Sequence, residues 1–173
     1  MILIALGANL ATPLGPPRAT LEAALGALEA EGVRVLARSR WYRSAPVPPS
    51  AQPWYVNGVA SVATGRGPAE LLQVLHRIEA RFGRERRTRN EARPLDLDLI
   101  DYDGLILDAA EGPILPHPRL QERAFVLRPL AEIAPGWRHP RLGRSVAELI
   151  AALPPDAMAE PIAPDAPGGA GAG

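Results

Sequence analysis

WYVNGVASVAT (residues 54–64), GPAELLQVLHRIEARFG (67–83) and LDLDLIDY (95–102) follow one another along the chain, and their periodicities decide the fold. In the first, Tyr55, Asn57, Val59, Ser61 and Ala63 alternate with Val56, Gly58, Ala60, Val62 and Thr64, the period of two of a strand. In the second, Leu71, Leu75, Ile78 and Phe82 lie on one helical stripe. Pro68 stands in the first turn, where its missing N–H costs nothing, and Gly83 suits the C-terminal stop. The third alternates strictly at its start, Leu95, Leu97 and Leu99 against Asp96 and Asp98, and reads as a strand.

Upstream, the same order is predicted once more. Met1 to Leu6 is a short apolar run, read as a buried strand ending at Gly7-Ala8-Asn9. Pro16-Pro17 opens a helix carrying Leu21, Leu25 and Leu28, and Gly32 stops it. Val33 to Tyr42 reads as the second strand. Ser44 to Pro53 holds four prolines in ten residues and is a loop. If that loop folds back, the strand at 54–64 is antiparallel to the second. The resulting order, βαββαβ, is the ferredoxin-like pattern of the α+β class, an antiparallel sheet with helices on one face.

The remainder reads as an addition to that core. Asp103-Gly104 is a hairpin turn into a short strand at Leu105-Ile106-Leu107. His117-Pro118 forms a corner. Arg123 to Ile133 is helical in pattern but interrupted by Pro129, and Ser145 to Glu148 is a capping box for a last short helix. The domain is expected to end at residue 153. From Pro154 onward, five prolines and four glycines in twenty residues predict a disordered, dispensable tail at 154–173.

Composition excludes several function classes. The chain has 173 residues, one ordinary domain, and its 47% apolar content suffices for a core. Nineteen basic and nineteen acidic residues cancel, which disfavours a nucleic-acid binder that works by bulk positive charge. No Cys is present, so disulfides and thiolate metal sites are excluded. No apolar run approaches the roughly 20 residues that span a bilayer, and no signal peptide is visible, so a cytoplasmic protein is expected. All nineteen basic residues are Arg. Chemistry that needs a side-chain amine is therefore absent, and any phosphate is handled by guanidinium forks, metal ions and backbone amides.

Asp96 and Asp98 sit at i and i+2 of a strand, so both carboxylates project from one face, about 6.5–7 Å apart at their Cα atoms. Two carboxylates held so close repel unless cations lie between them. Mg²⁺ takes oxygen ligands while keeping waters and substrate phosphates, and two such ions could share this pair. An edge strand with a solvated acidic face is the alternative. The segment just before it places Arg84, Arg86, Arg87, Arg89 and Arg93 within ten residues, either a clamp for a polyphosphate or a solvated basic loop. Together, anion clamp and carboxylate pair supply both parts of metal-assisted phosphoryl transfer. Tyr55 and Asn57 share a strand face that could stack on and hydrogen-bond a flat heterocycle, or could be ordinary half-buried strand. His117, between two prolines, is a ligand contact or a corner residue. The three Trp residues read as packing.

The combined set resembles the 6-hydroxymethyl-7,8-dihydropterin pyrophosphokinase family of folate synthesis. The similarity rests on Ala5 to Leu10, Tyr42 to Pro46, Gln52 to Asn57, Gly83 to Arg86, Arg93 to Leu99, Pro116 to Arg119 and Arg123 to Phe125. They stand in the same order with nearly the same spacings over residues 1 to about 150. The resemblance implies transfer of pyrophosphate from ATP to the pterin hydroxymethyl group with release of AMP, and a monomer acting on small molecules. It implies Asp96 and Asp98 as ligands of two Mg²⁺ ions. Arg84 and Arg93 would clamp phosphates, with Arg86, Arg123 and His117 near ATP and His76, Glu79 and Leu99 on the nucleotide side. Tyr55, Asn57 and Phe125, with Ser44, Ala45 and Val47, would form the pterin pocket. Segments 44–53 and 84–93 would be the mobile catalytic loops. Two other readings remain: a different Mg²⁺-dependent nucleotidyl- or phosphotransferase, and an RNA-binding ferredoxin-like module, which would want aromatics where this chain has carboxylates.

Overall fold

A computed structural model describes residues 1–46, 48–83, 94–108, 110 and 112–163. The expected core is present. β1 (Ile2–Ala8), α1 (Pro17–Ala30), β2 (Arg34–Arg38), β3 (Tyr42–Ser44), β4 (Tyr55–Ala63), α2 (Pro68–Arg81) and β5 (Asp96–Tyr102) follow the βαββαβ order, with the second strand split in two. β1 lies between β4 and β5, antiparallel to both, and β2 and β3 both pair antiparallel with β4.

The split strand has a local cause. Ser39 donates its N–H to the Val59 carbonyl at 2.9 Å, and its Oγ accepts the Val59 N–H at 3.0 Å. A side chain thus completes the ladder where the backbone turns out of strand geometry. Trp41, just beyond, drops its ring onto Gly58 of β4. A Cβ on Gly58 would lie 2.5 Å from the ring. The buried indole donates Nε1–H to Glu22 on α1 at 2.9 Å.

One face of the sheet carries Ile2, Ile4, Leu6, Ala60, Val62, Leu97 and Leu99 against Leu21, Leu25 and Leu28 of α1 and Leu71, Leu75 and Ile78 of α2. The opposite face, Leu3, Ala5, Val59 and Ile100, is covered by α3 (Ala124–Ile133) and α4 (Val146–Ala151). Helices therefore flank both faces. Burial on two sides explains why β1 reads as a continuous apolar run. α3 continues through Pro129, and the capping box of Ser145 and Glu148 forms as expected.

Two expectations are corrected. The Asp103-Gly104 turn forms, with φ of 53° and 72°, but the segment after it does not pair with β5. β6 (Leu107–Asp108) pairs instead with β7 (Ile114–Leu115), and His117 donates its N–H to the Ile100 carbonyl of β5 at 2.9 Å. The tail expected from Pro154 is ordered through residue 163. β8 (Glu160–Pro161) pairs antiparallel with β3, and Ile162 donates its N–H to the Trp41 carbonyl at 2.8 Å. Ala159 is buried. Proline content misled here because β3 is an edge, and an edge strand accepts a proline-bearing partner that pairs through its other residues.

Candidate active site

Sheet register assembles the site. Asp96 stands opposite Gly7, and Gly7 opposite Asn57. Asp98 stands opposite Ala5, and Ala5 opposite Val59. The acidic pair on β5 and the amide on β4 are therefore two strand spacings apart, about 10 Å. Between them β1 presents only Ala5 and Gly7 on this face, so the strand forms a floor with little side chain above it. A Cβ on Gly7 would lie 2.9 Å from Asn57 Nδ2, so glycine there makes room for the amide.

Above that floor is a cleft of about 480 Å³. Asp96 and Asp98 line one end. Ser44, Ala45, Tyr55, Asn57 and Phe125 line the other, and Arg123 reaches in from the start of α3. The hydroxyl of Ser44 donates to Asn57 Oδ1 at 2.7 Å in a buried bond, which fixes the amide with its NH₂ toward Gly7. The Arg123 guanidinium lies over the Phe125 ring, 5.4 Å from its centroid. The segment after Ser44 is tied down by Asn9, whose Nδ2 donates to Gln52 Oε1 at 3.1 Å and to the Pro53 carbonyl at 3.2 Å.

Other expected residues do not line the cleft. Glu79 on α2 is 2% exposed, and its carboxylate accepts the Leu97 N–H at 2.9 Å. It braces the strand between the two aspartates from beneath. Leu99 is packed into the core between the sheet and α1 and α2. His76 is exposed on α2. Arg84, Arg86, Arg93 and Val47 lie outside the described residues.

His117 borders the acidic end. Burial, then the positive charge of Arg123, pushes its imidazole down to about 4; Asp96 pulls the other way, and Arg119 adds a smaller push down. Nδ1 accepts the Arg119 N–H at 3.2 Å, so the neutral ring carries its proton on Nε2. Its folded pKa lies below the unfolded value, so the unfolded chain binds the proton more readily. Stability from this group is complete above about pH 6.5 and is lost as pH falls toward 4. An NMR titration of the imidazole should show a midpoint near 4. A midpoint near 6.5 would contradict this environment.

Several cleft residues escaped the sequence reading: Ala5 and Gly7 in the floor, Gln52, Arg119 and Glu122 at the rim, and Ala157 and Met158. Ala5, Gly7, Gln52 and Arg119 fall within the stretches that carry the family resemblance, and the first two are also small residues at i and i+2 of an otherwise bulky apolar strand.

A model of the family described as 7,8-dihydro-6-hydroxymethylpterin-pyrophosphokinase matches residues 3–135. Among similar proteins, the "2-amino-4-hydroxy-6-hydroxymethyldihydropteridine pyrophosphokinase" of Synechocystis sp. is 44% identical over 148 residues, 85% of this chain and 73% of that protein. The Pseudomonas aeruginosa protein of the same name is 44% identical over 154 residues, 88% of this chain and 91% of its own length. The Haemophilus influenzae protein of that name is 42% identical over 131 residues, covering 76% of this chain and 79% of that one. The match takes in both ends of the cleft, carboxylates and amide alike, and the chain belongs to the 7,8-dihydro-6-hydroxymethylpterin-pyrophosphokinase family.

Proposed function

We propose that this cleft carries out the family's pyrophosphoryl transfer from ATP to the hydroxymethyl group of 6-hydroxymethyl-7,8-dihydropterin, with the triphosphate at the Asp96 and Asp98 end and the pterin at the Asn57 end. The carrying observation is the register that sets an acidic pair and a hydrogen-bonded amide at opposite ends of one small-residue floor. A pterin is flat and bears an edge of donors and acceptors. Asn57 reads that edge with an amide held by Ser44, while Tyr55 and Phe125 supply ring surface.

The donor set suits magnesium. Asp96 and Asp98 supply carboxylate oxygens only, and among the described residues no group of three or more acidic, His or Cys side chains completes a protein-only cage. That fits an ion that keeps waters and takes its other ligands from substrate phosphates. When bound, such ions neutralise triphosphate charge and lower the pKa of a coordinated hydroxyl.

The chain's own residues do the positioning. The pterin hydroxyl oxygen forms a bond to the β-phosphorus and gives up its proton to solvent, the bond from that phosphorus to the oxygen bridging to the α-phosphorus breaks, and AMP leaves with that oxygen. Asp96 and Asp98 would hold the cations, which there would neutralise the triphosphate charge. Arg123 places positive charge where the transferring group gains negative charge, and His117 offers a neutral Nε2–H donor beside it. Arg84 and Arg93 complete the phosphate clamp in this proposal. Mass-spectrometric product analysis with ATP, Mg²⁺ and the reduced pterin alcohol tests it. AMP and a pterin diphosphate are expected. ADP with a pterin monophosphate, or no turnover, would overturn it.

A further inference from the structure

The segment from Leu153 to Ala163 is the feature that neither the sequence pattern nor the family match explains, since the matched region ends at residue 135. It crosses the end of the sheet as a strap. Tyr42 stands opposite Pro161 and Arg43 opposite Glu160. The Arg43 guanidinium meets Glu160 at 3.2 Å and lies over the Trp54 ring, 5.3 Å from its centroid. That ion pair is exposed and contributes little by itself. The strap is held chiefly by the Ile162 N–H on the Trp41 carbonyl and by burial of Ala159 against Tyr42 and Ala124, with Phe125, Leu153 and Ala157 packed around them.

This anchoring carries Ala157 and Met158 to the cleft wall, beside Ser44, Ala45, Pro46 and Phe125. Both are half-buried. In the sheet order β5-β1-β4-β3-β8, the strap and the acidic strand lie at opposite edges, four strand spacings or about 19 Å apart. Met158, two residues before β8, therefore approaches the cleft from the sheet edge that carries β3 and Ser44, the edge opposite the acidic strand.

We propose that residues 157–158 form a further wall of the acceptor pocket, with the Met158 side chain packing against the bound heterocycle. The inference rests on the reading of the cleft given under Proposed function. An unbranched thioether adapts to a ring face or edge and supplies polarizable contact there. The strap also joins β3 to the pocket: β3 ends at Ser44 and leads directly into Ala45, so one short segment both covers the sheet edge and shapes the wall.

The test compares KM for the reduced pterin alcohol with KM for ATP in the full chain, in Met158→Ala and in Met158→Leu. In Met158→Ala, pterin KM should rise about fivefold while KM for ATP stays within about twofold, as expected for loss of a few buried carbon and sulfur contacts at one end of the cleft. Met158→Leu should restore most of the affinity. A chain ended after Ala163 should match the full chain, whereas one ended after Pro155 should show the pterin defect at least as strongly. An unchanged pterin KM in Met158→Ala, or an equal rise in both constants, would overturn the proposal. Failure of the full chain itself to form AMP from ATP and the pterin would instead count against the reading of the cleft.

Discussion

Asp96→Ala and Asp98→Ala should each lower kcat by about a thousandfold, the equivalent of roughly 4 kcal/mol of transition-state stabilisation. Both side chains are half-buried and line the cleft, and their places opposite Gly7 and Ala5 leave nothing on β1 to substitute for them. Removing one of two neighbouring carboxylates also relieves repulsion, so thermal stability should hold or rise. Asp→Asn variants preserve volume and strand geometry while removing the charge, and should be nearly as slow as the alanine variants. Steady-state kinetics at saturating ATP and pterin, beside a melting curve, separate the two effects. Activity within tenfold of the natural chain for either aspartate would reject the metal-holding role. Glu79 gives the useful contrast. It is also acidic and close to β5, yet it is buried with its carboxylate on the Leu97 N–H, so its loss should act first on the strand that carries the aspartates.

Gly58→Ala should destabilise the fold by about 2 kcal/mol, with a melting temperature lower by about 4–8 °C. The new methyl would meet carbons of the Trp41 ring at 2.5 and 2.7 Å, and that ring is buried and held through Nε1 to Glu22. It cannot swing aside as a long flexible chain could. Either β4 moves away from the segment joining β2 and β3, or the indole leaves its rotamer and loses Glu22. Urea unfolding followed by circular dichroism measures the loss. Stability within about 0.5 kcal/mol of the natural chain would show that the Trp41 contact has slack which the close packing of interiors does not normally allow. Because β4 also carries Tyr55 and Asn57, the surviving folded protein should bind the pterin less well even though Gly58 faces away from the cleft.

The two glycines on neighbouring strands show how differently one residue type can act. Gly58 accepts an indole on the face covered by α1 and α2, and Gly7 accepts the Asn57 amide on the cleft side. Nothing in the local sequence distinguishes them. Strand alternation assigns each to a face, but only the partner strand determines what comes to rest there.

The carboxylate pair was legible because it depends on a single strand: residues at i and i+2 share a face whatever the strand pairs with. The same holds for Tyr55 with Asn57, for the leucine stripes of α1 and α2, and for the capping box at Ser145. The split at Ser39 to Trp41 was not legible, since it depends on a serine hydroxyl meeting Val59 across the sheet. Nor was the strap at Glu160–Pro161, whose composition speaks for disorder and whose order comes from the open edge of β3. His117 illustrates an intermediate case. Its prolines mark a corner in the sequence, but its neutral state comes from burial beside Arg123 and Arg119, which the fold supplies.

Thus the chain by itself determined the βαββαβ order, the acidic pair and the residues that pair with a family pattern, because these follow from backbone periodicity and from side-chain chemistry at short spacing. Tertiary packing put Asp96, Gly7 and Asn57 in one row, laid Glu79 beneath the strand and not in the cleft, and brought Met158 to the cleft wall. Those placements depend on the register between strands distant in sequence, and register is set by the packing of both faces of the sheet at once.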